Sequence, residues 1–312
     1  MTLPTLRIDP SRLRDIPLFS TGAAEADGIS RKDLAILVRR QLLWQPARGW
    51  YSARPDATED ERHILRTVAT LRLHGEHACA CRHSALLLHG LPLARCDLST
   101  VEIARSGAGH GRTRDGVRVS RLDTKGAARA EVEVGLAETT ARVVDVATAI
   151  VGTAMTTNPL GALVAGDHAL RHRMCTRADT DAALDRSRGG RGIAAAREAL
   201  GHLEPRHESP GETLAAAVLR RLPWAFEPQV EVRAGDRLYR LDFGLREHKV
   251  AFEFDGAIKY TGPEVMEAQL AREANLRAEG WVFVRAGWDD LDDDGELRLR
   301  VLAAIHEARP AA

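Results

Sequence analysis

Two alternating runs, LYRLDFGL (Leu238–Leu245) and VAFEFD (Val250–Asp255), joined by the polar connector REHK, constrain the fold of this chain more than any other feature. A period of two sends successive side chains to opposite faces of a strand. In the first run Tyr239, Leu241, Phe243 and Leu245 then share one face, with Arg240, Asp242 and Gly244 on the other. In the second, Val250, Phe252 and Phe254 oppose Ala251, Glu253 and Asp255. So short a connector predicts an antiparallel hairpin whose apolar half packs on a helix. If Leu245 pairs with Val250, Asp242 lies directly across from Glu253, with Cβ atoms ~5 Å apart. Asp255 follows two residues along the same face, roughly 7 Å from Glu253. Like charges so placed destabilise a sheet, and three of them need water or a cation. Hard cations such as Mg²⁺ take such oxygen sets, usually one or two carboxylates with waters and substrate phosphates. The ordinary alternative is a solvated hairpin face whose charges discourage edge pairing, although such a face usually mixes signs.

Around the hairpin the pattern is that of a compact α/β domain. Ser209, Pro210 and Glu212 in SPGETLAAAVLRRL supply an N-cap, a first-turn proline and a capping-box acid. FEPQVEVR reads as a strand, PEVMEAQLAREANLRAEG as the longest helix, WVFVRAG as another strand, DDLDDDG as an acidic turn and ELRLRVLAAIHEAR as a closing helix. With 312 residues, two or three domains are expected, and composition shifts divide the chain into 1–55, 56–205 and 206–312. The reading is therefore of an α/β multi-domain protein. No apolar run approaches the ~18 residues of a membrane span, the N-terminus lacks a signal-peptide core, and four cysteines form no disulfide framework. A soluble protein of a reducing cytoplasm is the expectation.

Net charge is zero, but residues 1–55 carry nine Arg or Lys against five Asp or Glu. There LFSTGAAEADGIS predicts a short helix and a turn at Gly28, and RKDLAILVRRQLL a second helix capped by Ser30 with Asp33. Its apolar stripe is Leu34, Leu37, Val38 and Leu42; the other face carries Arg31, Lys32, Arg39 and Arg40. WQPARGWYSA, with Arg48 at its tip, reads as a hairpin. Helix, turn, basic helix and hairpin is the order of a winged helix-turn-helix, with a solvated basic helix as the plain alternative. The middle segment is mixed α/β. ERHILRTVATLRLHG and ETTARVVDVATAIVG have helical period, and RSRGGRG breaks the chain before IAAAREALGHL. HACACRH would place His77, Cys79, Cys81 and His83 on one strand face, a spacing more typical of buried cysteine than of structural zinc.

The stretch LYRLDFGLREHKVAFEFDGAIKY, followed by a helix and GWVFVRAGWDDL, resembles the core of the PD-(D/E)xK nuclease superfamily, and more closely its very-short-patch-repair (Vsr-like) branch. The likeness covers about the last 105 residues and implies a C-terminal restriction-endonuclease-like α/β/α domain. It implies a catalytic set of Asp242, Glu253, Asp255, Glu212 and Lys259, with Asp242, Glu253 and Asp255 around Mg²⁺ or Mn²⁺. Asp255 stands where the superfamily usually has lysine, and Lys259 where relatives often have histidine; Lys249 or Lys259 would substitute electrostatically. Glu212 would add a water-mediated ligand, though its capping role also accounts for it. Arg272 would stabilise the leaving side, unless it is an i,i+4 partner on a solvated helix. The front, LFSTGAAEADGISRKDLAILVRRQLLWQPARGWYSA, together with RHSALLLHGLPL, is similar to the winged-helix region and following module of AbiEi-type antitoxins, which act as transcriptional autorepressors. The joint implication is a metal-dependent DNA endonuclease or nickase, of a repair type, recruited to double-stranded DNA by Arg31, Lys32, Arg39, Arg40 and Arg48. The alternative is a non-catalytic regulator with an inactive nuclease fold. No membrane is involved in either, and homodimer or protein partner stays open.

Overall fold

The computed structural model describes residues 16–106, 111–121, 128–156, 158–256, 263–292 and 294–308. The chain is a mixed α/β protein that condenses into two units, residues 1–162 with 175–201 and residues 163–174 with 202–312.

The first unit begins with a short strand, β1 (Phe19–Ser20), and two helices, α1 (Thr21–Ala26) and α2 (Arg31–Arg39). Gly28 takes φ +80° between them, a conformation that side-chain-bearing residues resist. Ser30 caps α2 through the Asp33 N–H, and Asp33 returns a bond to the Ser30 N–H. The hairpin β2 (Trp44–Ala47) and β3 (Trp50–Ser52) turns at Arg48–Gly49, and β3 also pairs with β1. Leu34 and Leu37 are buried with Phe19, Ala24, Ile29 and Leu43. The expected stripe is corrected at its end: Leu42 is 38% exposed and Leu43 takes its place. The helix stops at Arg39 and Gln41 adopts φ +58°, so the chain reverses before a further turn can form.

Then come α3 (Glu59–His74), β4 (Ala78–Ala80), α4 (Arg82–Leu88), β5 (Val101–Arg105), β6 (Arg112–Arg114), β7 (Val117–Arg121), β8 (Arg129–Val134), β9 (Thr139–Val144) and α5 (Val146–Thr156). The next helix, α6 (Pro159–Arg171), crosses the division between the units, and α7 (Arg177–Arg186) and α8 (Ile193–Leu200) complete the first. Its six-stranded sheet has the order β6-β7-β5-β4-β9-β8. Two expectations are corrected here. ETTARVVDVATAIVG is half strand, because the β-branched run Thr139–Val144 pairs with β8 and meets β4 through Ala80, and Asp145 then caps α5 through the Thr148 N–H. HACACRH is not one strand face: β4 spans three residues, Cys81 precedes α4, and His83 lies inside that helix. Glu102 on β5 is fully buried, one oxygen on Arg82 (2.6 Å) and the other on Arg118 (2.7 Å). Its N–H donates to Ser84 Oγ, which also bonds His63 Nε2, while His63 Nδ1 bonds the Leu98 carbonyl. Burial drives His63 down to about 4; as a neutral ring it donates to Leu98 and accepts from Ser84, tying α3, α4 and β5 together.

The second unit contains α9 (Pro210–Leu219), β10 (Glu227–Ala234), β11 (Arg237–Leu245), β12 (Val250–Phe254), α10 (Pro263–Ala278), β13 (Val282–Ala286) and α11 (Asp294–Ala308). Its sheet runs β10-β11-β12-β13, antiparallel except for the parallel β12–β13 pair. The β11–β12 register is the expected one, with Leu245 opposite Val250 and Phe243 opposite Phe252. With a strand on each side, β12 is buried along its whole length. Helix α10 brings Leu276 onto Ala251, Leu241 and Val230. On the opposite face α9 lies so close that a Cβ on Gly211 would meet the Phe254 ring at 2.0 Å. In α6, buried Asp167 accepts from Thr213 Oγ1 (2.9 Å) and the Glu204 N–H (2.7 Å) and pairs with His207 (2.7 Å), anchoring the start of α9.

Strict alternation in β11 fails at one point. Leu241 packs with Ala251, whereas Phe243 meets Phe252, the next residue and so the other face of β12. The break is at Asp242, where the β10–β11 ladder passes from Pro228–Phe243 to Val230–Leu241 and the opposing Gln229 takes φ +53°.

Candidate functional site

The break in β11 builds the site. Asp242 turns its carboxylate to the Phe254 N–H (2.9 Å), so the side chain replaces a ladder bond at the end of the β11–β12 pairing. Glu253 sits on the α10 face of β12 and is 7% exposed; Glu212, in the first turn of α9, is 6% exposed. Burial, then the charge of Glu253, push Asp242 up to about 7; the Phe254 N–H opposes that, Glu212 adds to it, and Arg272 eases it. A carboxyl so raised is half-protonated near neutrality, and perturbation of this kind clusters at functional sites.

Glu253 is not bare. Arg272 of α10 grips it in fork-to-fork fashion, Nη2 to Oε1 at 2.6 Å and Nη1 to Oε2 at 3.0 Å, and also donates to the Arg240 carbonyl at 2.7 Å. Arg272 is therefore neither solvated nor an i,i+4 partner. Asp255 points instead at Arg285 of β13 (3.0 Å), whose other nitrogen holds Glu273 (2.8 Å). The expected three-carboxylate patch is accordingly divided, because the parallel β13 brings its own arginine alongside. Among the described residues no group of three His, Cys, Asp or Glu could hold a metal ion. Asp242 and Glu253 remain, near enough for the Glu253 charge to raise Asp242. The strand pairing stops at Phe243–Phe252 and does not set them directly across from each other as expected, because Asp242 turns to the Phe254 N–H.

Glu212 is bonded at both oxygens: the Glu208 N–H and Gln229 Nε2 reach Oε2 at 2.9 and 2.8 Å, and Ser209 Oγ donates to Oε1 at 3.0 Å. It caps α9 and receives the strained Gln229. Left-handed φ at a non-glycine residue costs on the order of 1 kcal/mol, and here it directs the amide onto Glu212. Lys249 stands before β12, roughly 13 Å along the strand from Glu253 at ~3.3 Å per residue, and its ammonium donates to the Glu279 carbonyl. It does not join the site. Lys259 lies outside the described residues. The sequence pattern did not point to Arg285, to Gln229 or to the true partner of Arg272; the single available signal was an arginine-rich α10–β13 stretch.

A second candidate surface lies in the first unit. Arg31, Lys32, Arg39 and Arg48 are exposed and Arg40 is half-buried at the α2 C-cap. Arg31 pairs with Glu25 (2.9 Å), and Arg39 Nε donates to the Ala35 carbonyl of its own helix (3.3 Å). Arg31, Ala35 and Arg39 recur at i, i+4 and i+8, one face of α2, and Lys32 adjoins it. Among the described residues no helix is long and apolar enough to cross a membrane.

What the fold and the two sites define is an α/β protein with an acidic pair in one unit, Glu253 buried and Asp242 half-buried, and a basic helix in another. No known protein-family profile matches the chain. It is similar to two proteins of Mycobacterium tuberculosis, the uncharacterized protein MT2308 of strain CDC 1551 / Oshkosh and the uncharacterized protein Rv2248 of strain H37Rv. Each is 34% identical over 154 residues, which cover 48% of this chain and 56% of the relative. The chain thus spans little more than half the length of these relatives.

Proposed function

We propose that the second unit is a metal-dependent endonuclease or nickase of restriction-endonuclease-like, Vsr-related type, brought to double-stranded DNA by a winged helix-turn-helix at the front of the chain. The observation that carries the reading is Asp242, an acid left without a cation of its own against Glu253 and pushed up to about 7. Paired oxygens of this kind suit Mg²⁺ or Mn²⁺ completed by waters and substrate phosphate. Asp242 and Glu253 would hold the ion, whose chemistry is to lower the pKa of a bound water and to neutralise charge developing on the phosphate.

The chain's own residues then have distinct tasks. Asp242 must shed its proton before it can ligate, so cation binding and nicking should rise as pH passes 7. Glu212, fully hydrogen-bonded, holds the start of α9 beside β12 as a positioning residue. Arg285 neutralises Asp255, so that Asp255 presents no net charge to an incoming phosphate. On α2 and its hairpin, Arg31, Lys32, Arg39, Arg40 and Arg48 would contact phosphates and fix register without reading sequence.

The rival, a non-catalytic DNA-binding regulator of antitoxin type in the cytoplasm, has one observation in its favour: Arg272 already satisfies both oxygens of Glu253. Supercoiled plasmid incubated with Mg²⁺ or Mn²⁺ decides between them, with wild type beside Asp242→Asn and Glu253→Gln. Nicking by wild type and loss in both variants is expected; equal nicking by all three would mark a contaminant and sink the enzyme reading.

A further inference from the structure

Each oxygen of Glu253 accepts one N–H from Arg272 and keeps a second lone pair, but a dication on those oxygens would repel the guanidinium beside it. If the acidic pair holds a divalent ion, as proposed above, the two bonds from Arg272 to Glu253 are the ones it weakens. The neighbouring arginine is differently placed. Arg285 divides its two ends between Asp255 and Glu273, and Glu273 is further held by Arg277. Arg272 has a single carboxylate partner among the described residues, and its remaining bond is to a backbone carbonyl, Arg240 O. It is the exchangeable member of the pair.

We infer that Arg272 is a placeholder for the cation and, once displaced, the phosphate-binding group of the site. The carbonyl of Arg240 keeps one edge of the guanidinium anchored beside the strand, so release from Glu253 frees its other N–H groups within the site rather than losing them to solvent. A guanidinium with two parallel donors matches a phosphate oxygen pair as well as it matches a carboxylate. With a cation on Glu253, Arg272 would be repelled from it and would turn its N–H groups toward the anion. Empty, the site keeps an excess of negative charge and would have little hold on DNA; with the acids met by a cation, Arg272 would be offered to the phosphate.

This inference rests on the proposed cation site, and the experiment separates the two. Ca²⁺ binding to the full-length chain is measured by calorimetry, and binding of a short DNA duplex is measured with and without Ca²⁺. Wild type is compared with Arg272→Met, Arg272→Lys and Glu253→Gln. Removal of a competitor predicts that Arg272→Met binds Ca²⁺ about tenfold more tightly than wild type, a difference of about 1.4 kcal/mol. Its Ca²⁺-dependent gain in DNA affinity should disappear, and Arg272→Lys should recover part of it. A merely structural tie predicts the reverse, a less stable protein with unchanged or weaker Ca²⁺ affinity. Should Arg272→Met not fold, Arg272→Lys carries the test alone: its ammonium lacks the parallel fork that matches both oxygens, so it holds Glu253 less firmly and Ca²⁺ should again bind more tightly. Ca²⁺ binding that Glu253→Gln abolishes but neither Arg272 variant tightens overturns the placeholder role only. Wild type that binds no Ca²⁺ overturns the cation site itself.

Discussion

Replacing Asp242 with asparagine should stabilise this protein at pH 8, which an ordinary buried hydrogen-bonding residue would not do. Asparagine keeps an oxygen for the Phe254 N–H but removes the charge that faces Glu253 and Glu212. The folded carboxyl titrates at about 7 against an ordinary 3.8. Some three units at ~1.36 kcal/mol each give a ceiling of about 4 kcal/mol, which water at the half-buried side chain reduces to about 2–3 kcal/mol. The sign follows from proton binding. Because the folded value is raised, the folded state holds a proton the unfolded chain has released between pH ~4 and about 7, so wild-type stability falls across that window and levels off above it. Wild type and Asp242→Asn should therefore coincide near pH 4 and diverge toward pH 8. Hydrogen exchange of the Phe252–Phe254 amides, corrected for intrinsic rate, reads the opening free energy of β12 in its own unit. A variant that is less stable at pH 8, or whose advantage does not change with pH, would refute the electrostatic account of the site.

Changing Arg39 and Arg40 together to glutamine should weaken duplex binding and lower the slope of log K against log salt by about 2, near ~0.9 for each phosphate no longer neutralised; an unchanged slope in a salt titration would remove α2 from the interface. Gly211→Ala drives a Cβ to 2.0 Å from the Phe254 ring, and such overpacking should cost about 1–3 kcal/mol in thermal or denaturant unfolding. Glu102→Ala strands Arg82 and Arg118 beside a buried cavity, and breaking a buried pair from one side should cost about 3–5 kcal/mol, seen as a lowered melting temperature of the first unit.

Local rules were legible in the sequence where they act over a few residues. The Ser30–Asp33 box, the Ser209–Glu212 cap and the 245–250 register all follow from spacing, and all are present. Long-range competition was not legible. Thr139–Val144 has helical period yet becomes a strand, because β4 and β8 offer it partners on both sides. Asp242 sits on a polar face by parity, but its carboxylate enters the plane of the sheet and switches the faces of Leu241 and Phe243. Arg272 is 19 residues from Glu253, and nothing in the pattern of α10 distinguishes it from arginines that pair along a helix. Asp255 looked equivalent to Glu253 by parity; the parallel strand β13 separated them.

The way this chain treats its other acids bears directly on what the β11–β12 site is for. Glu102, fully buried, is met by two arginines, one on each oxygen. Glu273 lies between Arg277 and Arg285, and Glu208 between Arg171 and Arg240. Arginine is plentiful, at 40 of the 44 basic residues, and the recurrent solution is a carboxylate with two guanidiniums. Asp242 and Glu253 share one, Arg272. Two acids against one cation leave a deficit of one positive charge, borne as a raised Asp242 rather than relieved by another arginine. Stability alone gives no reason to keep that deficit in a chain that meets the fully buried Glu102 with two arginines. A dication taking Asp242 and Glu253, with Arg272 released to a phosphate, would balance the acids and turn the same imbalance into affinity for substrate.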